Sequence, residues 1–172
     1  WGIAENAPVI GSVARWNPLK DHENLLQALA LLIKQQPELH CVLVGEGLDA
    51  SNAELMALLR RHGLQQHVVL LGRRDDVPKV LAALDVYVLS SRAEGFPNVV
   101  AEAMATGVPC VVTDVGDAAR IVGECGWVVP PRNAPALAEA IGEAIALLGS
   151  VEGKEDYAMR AAQGRQRVEL AY

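Results

Sequence analysis

Short runs of apolar, often β-branched residues alternate along the chain with longer segments whose apolar positions recur every three to four residues. The short runs predict strands, and their unbroken apolar character is typical of strands covered on both faces. The longer segments predict helices with one apolar face. The predicted strands are 9–14, 40–44, 68–71, 86–89, 110–113 and 126–129, and the predicted helices are 22–36, 53–62, 76–83, 98–106, 134–148 and 155–171.

This alternation of strands and helices predicts right-handed β-α-β units on a parallel sheet. We therefore predict an α/β fold, a Rossmann-like doubly wound sheet of six parallel strands with helices on both faces. Such a sheet binds ligands at the carboxyl ends of its strands, near the point where the strand order reverses. Functional residues are therefore expected directly after the strands.

Capping residues predict where two of the helices begin and end. Asp21 is a predicted N-cap for helix 22–36, and Pro37 is its predicted stop. Pro97 suits the start of helix 98–106 and Gly107 its C-terminal cap. The first amides of that helix are expected to be free, which makes its N-terminus a candidate anion site.

Length and composition predict a single globular domain over residues 1–172, with 51% hydrophobic and 21% charged residues. The net charge of -6 argues against a nucleic-acid surface, which is usually basic. Cys41, Cys110 and Cys125 are odd in number and are expected to be reduced, as in a cytosolic protein. No signal peptide or run of 18 apolar residues is found in the sequence.

Charged residues follow the predicted strands. Arg15 and Lys20 come after the first strand, and a guanidinium and an ammonium together can grip a phosphate group. Gly72 and Arg73 come after the third strand, where an ordinary turn is the favoured interpretation of these residues taken by themselves. For Arg15 and Lys20, two solvated surface charges remain the alternative.

Two carboxylates lie close to the predicted helix N-terminus after the fourth strand. Glu94 precedes the turn Gly95-Phe96-Pro97-Asn98, and Glu102 lies on the second turn of the helix. A carboxylate can accept two hydroxyl hydrogen bonds, so a sugar or ribose diol is a natural partner. The alternative for Glu102 is a solvent-facing helix residue.

Several common site motifs are missing from the sequence. It has no Gly-x-Gly-x-x-Gly after the first strand, no P-loop and no Gly-x-Ser-x-Gly. The four histidines, His22, His40, His62 and His67, show no metal-binding spacing. The sequence thus predicts neither a dinucleotide fingerprint nor a metal site.

Taken together, these residues resemble the C-terminal donor-binding domain of GT-B glycosyltransferases of family 4, known as glycosyl transferases group 1. The resemblance runs from about residue 8 to 148. Its most specific part is EGFPNVVAEAMA, in which Glu94 and Glu102 are separated by seven residues. The Arg15/Lys20 pair, VGEG at 44–47, Gly72 and GVP at 107–109 match in the same order.

The resemblance implies a role for each matching residue. Arg15 and Lys20 would neutralise the diphosphate of a nucleotide sugar and help it leave, and Glu94 would contact the donor sugar. These three are the catalytic residues that the resemblance implies. Glu102 would hold the ribose hydroxyls, and Gly72 and Arg73 would lie along the base. The remaining donor-binding residues would line the sugar and phosphate pocket, and these are Gly95, Phe96, Pro97, Asn98 and Val99.

The resemblance also implies an activity for the full-length enzyme, a retaining hexosyltransferase of polysaccharide or glycolipid biosynthesis. It implies a nucleotide sugar such as a UDP- or GDP-sugar as co-substrate, no metal, and an acceptor sugar or lipid bound by a separate N-terminal domain. That domain is absent from this chain, so the chain alone is expected to be inactive. The enzyme is expected in the cytoplasm, with possible peripheral attachment to the inner face of the membrane.

The sequence departs from the family pattern at two places. Asp117 and Ala119-Arg120 replace a frequent glycine and a frequent Pro-Glu pair, so we assign no donor contact to this loop. Asp21 replaces the glycine that often follows Lys20. The alternatives are a nucleotide-sugar 2-epimerase or a phosphorylase of the same architecture, and a non-catalytic nucleotide-binding module.

Overall fold

Six parallel strands form one sheet in the computed structural model, which describes residues 1–171; Tyr172, the end of the predicted 1–172 domain, lies outside the described residues. The strand order is β3-β2-β1-β4-β5-β6, and every pair of neighbours is parallel. The predicted strands are confirmed to within one residue. Their bounds are β1 Val9–Val13, β2 His40–Val44, β3 Val68–Gly72, β4 Val86–Leu89, β5 Cys110–Thr113 and β6 Trp127–Val129.

Helices cover both faces of this sheet, so the predicted doubly wound α/β fold is confirmed. The helices are α1 His22–Leu32, α2 Ala53–His62, α3 Val77–Leu81, α4 Asn98–Ala105, α5 Ala118–Val122, α6 Ala134–Ala146 and α7 Val151–Ala171. One apolar cluster joins the sheet to α1, α2 and α6. A second cluster on the opposite face joins it to α3, α4, α5 and α7.

Two helix boundaries differ by four residues from those predicted, and one helix was not predicted. Helix α1 ends at Leu32, because the Leu32 carbonyl accepts from the amides of both Gln35 and Gln36 and turns the chain before Pro37. The turn leads Leu39, which is fully buried, into β2. Helix α5 was not predicted, since five residues are too few for a periodic pattern. Helix α7 begins at Val151 rather than at residue 155.

The strand order reverses between β1 and β4, which lie side by side although three helices and two strands separate them in sequence. Gly11 of β1 pairs with Tyr87 of β4. The loops that follow these two strands therefore leave the same edge of the sheet next to each other. This edge carries most of the candidate residues.

Within residues 1–171, no single helix is both long and apolar enough to cross a membrane. The segments Ala134–Gly149 and Val151–Ala171 meet that requirement only when they are counted as a pair, which is bent by 117°.

Candidate functional site

The loops after β1 and β4 are linked at three successive residues. The Arg92 amide donates to the Leu19 carbonyl at 2.7 Å, and the Ser90 hydroxyl donates to the Lys20 carbonyl at 2.9 Å. The Arg92 guanidinium then meets the Asp21 carboxylate, with Nη2–Oδ1 and Nε–Oδ2 distances of 2.7 Å. The two loops therefore hold each other in a fixed register.

Lys20 and Glu94 meet directly at this junction. Lys20 Nζ lies 2.6 Å from Glu94 Oε1, and their side chains are 26% and 10% exposed. The Ser91 hydroxyl donates to the same Oε1 atom at 2.6 Å. Both bonds use Oε1, so Oε2 has no hydrogen-bond partner among the described residues and is open to a ligand hydroxyl.

The backbone around Glu94 is supported by the loop after β5. The Asp117 amide donates to the Gly95 carbonyl at 2.9 Å, and the buried Thr113 hydroxyl donates to the Ser91 carbonyl at 2.8 Å. Gly116 has a left-handed φ of 53°, and a Cβ there would overlap the carbonyl oxygens of Glu94 and Gly95. The loop that departs from the family pattern thus braces the Glu94 segment.

Helix α4 begins directly after this segment, as predicted, with Pro97 buried at the N-cap position. The Asn98 amide donates to the Phe96 carbonyl and the Val100 amide to the Pro97 carbonyl, both at 3.0 Å. The prediction of free first amides is therefore wrong for these two. Phe96 and Asn98 are exposed and Val99 is half-buried, so side chains as well as backbone face this edge.

Glu102 lies on the exposed face of α4, one helical turn beyond Asn98. Its carboxylate forms no salt bridge with any of the described residues. This carboxylate is therefore available to an external hydrogen-bond donor, and the packing of α4 does not require it.

Arg15 follows β1 in the sequence. Its side chain is exposed and has no ion-pair partner in the described part of the chain. Its neighbours are held by the end of β2 and the loop after it, because the Ala14 amide donates to the Val44 carbonyl at 2.9 Å and the Trp16 amide to the Glu46 carbonyl at 2.7 Å. The Arg15 guanidinium is therefore available to a ligand anion, and the backbone on both sides of Arg15 is held in place.

Gly72 and Arg73 lie at the same edge of the sheet, but apart from the Lys20–Glu94 pair. Gly72 ends β3 and binds the Leu48 carbonyl and the Gly45 amide through its backbone, whereas Arg73 is exposed. Two strand spacings separate β3 from β1, which is about 10 Å. The predicted site therefore divides into a cluster after β1 and β4 and a pair of residues after β3.

A cavity of about 220 Å³ opens beside the junction, between Trp16, Asp21, His22 and Arg92. The rings of Trp16 and His22 stack with centroids 5.2 Å apart. Burial lowers the pKa of His22 to about 4, so its imidazole is neutral near pH 7. Its Nε2 atom is buried without a hydrogen-bond partner among the described residues.

Sequence reasoning missed four residues that shape this site. Ser90 and Ser91 belong to no site motif of the sequence, although Ser91 and Glu94 have the three-residue spacing of a local side-chain hydrogen bond. Asp21 was predicted as an N-cap, but its side chain makes no capping bond to α1 and pairs with Arg92 instead. Nothing local in the sequence indicates a pair separated by 71 residues.

The described residues contain no group of three or more His, Cys, Asp or Glu side chains arranged to hold a metal ion. Positive charge at this edge of the sheet is carried by side chains that follow the strands, namely Arg15, Lys20, Arg73, Arg74 and Arg92.

Curated relatives of the chain include several glycosyltransferases. It is 35% identical over 113 residues to the putative glycosyltransferase EpsF of Bacillus subtilis, which covers 66% of the chain. It is 28% identical over 163 residues to the N-acetyl-alpha-D-glucosaminyl L-malate synthase of Bacillus anthracis, which covers 94% of it. The chain spans only 29% and 41% of the lengths of these two relatives.

Solved structures agree with this relationship. Anabaena Alr3699/HepE, crystallised in complex with UDP and glucose, superimposes with a TM-score of 0.84 at 30% identity. The match covers 96% of this chain and 44% of that one. The family model described as "Glycosyl transferases group 1" matches residues 7–146, which include β1, β4, α4 and all the candidate residues. The chain therefore belongs to the glycosyl transferases group 1 family.

Proposed function

We propose that this chain is the donor-binding domain of a glycosyltransferase and that it binds a nucleotide sugar where the strand order reverses. The observation that carries the proposal is the contact of Lys20 Nζ with Glu94 Oε1 at 2.6 Å. It brings a cation suited to phosphate and a carboxylate suited to sugar hydroxyls to one point. The binding of UDP and glucose by a structural neighbour supports this choice of ligand.

The parts of the donor are assigned to residues along the edge of the sheet. Arg15 and Lys20 bind the diphosphate, and Glu94 accepts sugar hydroxyls through Oε2. Glu102 holds the ribose, and Gly72 and Arg73 lie along the base, about 10 Å from β1. The walls of the pocket between sugar and diphosphate come from the turn into α4, namely Gly95, Phe96, Pro97, Asn98 and Val99.

The reaction transfers a hexosyl group with retention of configuration. The bond between the anomeric carbon and the β-phosphate oxygen breaks with its electron pair on the diphosphate, and an acceptor oxygen bonds to that carbon. The acceptor proton leaves to the departing diphosphate on the same face. Arg15 and Lys20 stabilise the negative charge that develops on the leaving group.

Arg15 and Lys20 supply the charge neutralisation that a metal ion gives other nucleotide-sugar sites. We therefore expect EDTA to leave donor binding unchanged. The acceptor, a sugar or a lipid, is bound by an additional N-terminal domain. We expect this chain alone to bind donor and not to turn it over. The full enzyme is proposed to act in the cytoplasm, with peripheral attachment to the membrane where its acceptor is a lipid.

The experiment is a thermal-shift screen with UDP-, GDP- and ADP-sugars, followed by calorimetric titration of the donor that raises the melting temperature. Glu102→Ala should weaken that donor at least tenfold, because two hydrogen bonds to a charged group are lost. Glu139→Ala is the matched control, an exposed glutamate on α6, which covers the face of the sheet opposite to α4, and should change nothing. The proposal fails if no nucleotide sugar binds, or if the two variants behave alike.

A product assay with a protein that joins this chain to an acceptor domain distinguishes transfer from the alternatives. Transfer releases a nucleoside diphosphate in step with glycosylated acceptor. A 2-epimerase changes the sugar without an acceptor, and a phosphorylase requires inorganic phosphate. A module without catalytic function gives no product in any of the three assays.

A further inference from the structure

A second ion pair lies beside the contact between Lys20 and Glu94. Asp21 directly follows Lys20, and its carboxylate, 2% exposed, faces the Arg92 guanidinium at 2.7 Å. Arg92 lies two residues before Glu94 on the other loop. Two adjacent residues of one loop are thus paired with two nearly adjacent residues of the other.

We propose that Asp21 and Arg92 are positioning residues, which fix the chain on either side of Lys20 so that its ammonium reaches the diphosphate site beside Glu94. The expected effect of these residues on donor binding rests on the proposed function. The positioning itself is a property of the unliganded protein and can be measured without a ligand.

The backbone at Asp21 argues that its side chain is needed there. Its φ of 47° lies in the left-handed region, which costs an ordinary residue conformational energy and costs glycine almost none. Asp21 stands at the N-cap position of α1, yet its side chain makes no capping bond. The Asp21 carboxylate therefore serves to bind Arg92, since neither the turn nor the helix cap requires a carboxylate at this position.

The chemistry of Lys20 explains why it needs the support of the Asp21–Arg92 ion pair. A lysine ammonium is a point charge on a flexible four-carbon stem, whereas a guanidinium is a rigid planar fork. The Arg92 guanidinium donates from Nη2 to Asp21 Oδ1 and lies as an ion pair 2.7 Å from Oδ2. Together with the bond of the Arg92 amide to the Leu19 carbonyl, it fixes the chain on both sides of Lys20. The long side chain then starts from a fixed point opposite Glu94.

The first test reads the Lys20 ammonium by NMR. Its side-chain ¹H–¹⁵N signal can be assigned by its loss in Lys20→Met, because the other lysines are only Lys34, Lys79 and Lys154. We expect a protected signal in the wild type and faster proton exchange, at least threefold, in Asp21→Gly and Arg92→Lys. Asp21→Gly relieves the left-handed backbone, so its melting temperature should change little.

The control is Arg74→Lys, which alters an exposed ion pair with Asp76 away from the junction. It should leave the Lys20 signal as in the wild type. The proposal is overturned if the signal is unchanged in a folded Asp21→Gly protein. If Asp21→Gly does not fold, the Lys20 signal in Arg92→Lys decides the proposal in the same way.

The second test measures UDP affinity in a double-mutant cycle. Asp21→Gly should weaken UDP threefold to tenfold in the wild-type background and have no further effect in Lys20→Met, because it acts through Lys20. An equal loss in both backgrounds would mean that Arg92 or Asp21 touches the ligand itself, which overturns a positioning role. The titration uses GDP or ADP in place of UDP if the screen selects a GDP- or ADP-sugar. If the wild type binds none of these nucleotides or their sugars, the proposed function fails while the NMR result still decides the positioning.

Discussion

Gly116 lies so close to the carbonyl oxygen of Gly95 that no side chain fits between the loops after β4 and β5. Its φ of 53° also favours glycine. We therefore expect Gly116→Ala to lower the free energy of unfolding by about 2 kcal/mol, since the loops must separate and the backbone is strained. For a chain of this size that corresponds to a fall in melting temperature of about 4–8 °C.

The control for this prediction is Gly149→Ala, because a Cβ at Gly149 meets no atom within 4 Å. It should stay within about 0.5 kcal/mol of the wild type. Gly116→Ala should also weaken UDP-sugar binding, since the Gly95 carbonyl it displaces lies next to Glu94. Equal stability of the two variants in urea denaturation would show that the loops do not depend on this close approach.

Arg15 offers a test of the site that leaves the fold intact. Its side chain is exposed and has no ion-pair partner among the described residues, so Arg15→Ala should not change the melting temperature. UDP affinity should fall about fivefold to thirtyfold, because a cation on the diphosphate is lost. Arg60→Ala, on the exposed side of α2, is the matched control and should bind UDP as the wild type does. Calorimetric titration that finds equal affinities for the two variants would remove Arg15 from the site.

The sheet could be predicted well because its strands are short, unbroken apolar runs with turn residues at their ends. Such runs carry their signal locally, and β4, Val86–Leu89, agrees with its predicted bounds at both ends. Helix α5 carries no such signal, since its five residues give only one turn and a half. Its position depends on Gly116, whose contact with the Glu94 segment no local pattern records.

The candidate residues could be placed at strand ends from sequence, but their pairings could not. The sequence predicts that Glu94 contacts a donor sugar, and the structure shows its carboxylate bound to Lys20 and Ser91 as well. The partner of Asp21 is equally invisible, because a left-handed backbone and a contact 71 residues away determine where its side chain goes. Long-range pairing depends on strand order, which the pattern of apolar residues does not encode.

His22 predicts a pH dependence of stability. Its pKa is lowered from 6.5 to about 4, mainly by burial, so the folded protein binds fewer protons than the unfolded chain between these values. Stability from this residue is therefore complete above about pH 6.5 and is lost as the pH falls towards 4. The linked free energy is about 3 kcal/mol.

The measurement is urea denaturation from pH 7 to pH 4 for the wild type and His22→Phe, which keeps a ring against Trp16. The wild type should lose more stability than the variant over this range, because only the wild type has to protonate His22 on unfolding. Parallel pH profiles would contradict the prediction. An NMR titration of His22 in the folded protein provides an independent value of its pKa.

Glu94 gives the sharpest prediction, since removing it should have opposite effects on two ligands. In Glu94→Ala the donor sugar loses its carboxylate partner. If UDP-glucose is the donor, it should therefore bind about tenfold more weakly than to the wild type. The Lys20 ammonium is released from its contact at 2.6 Å, so UDP alone should bind as well as to the wild type or better. Titration of both ligands against both proteins checks this. Equal weakening of UDP and UDP-glucose would mean that Glu94 supports the phosphate site, and the assignment of its carboxylate to the sugar would be wrong.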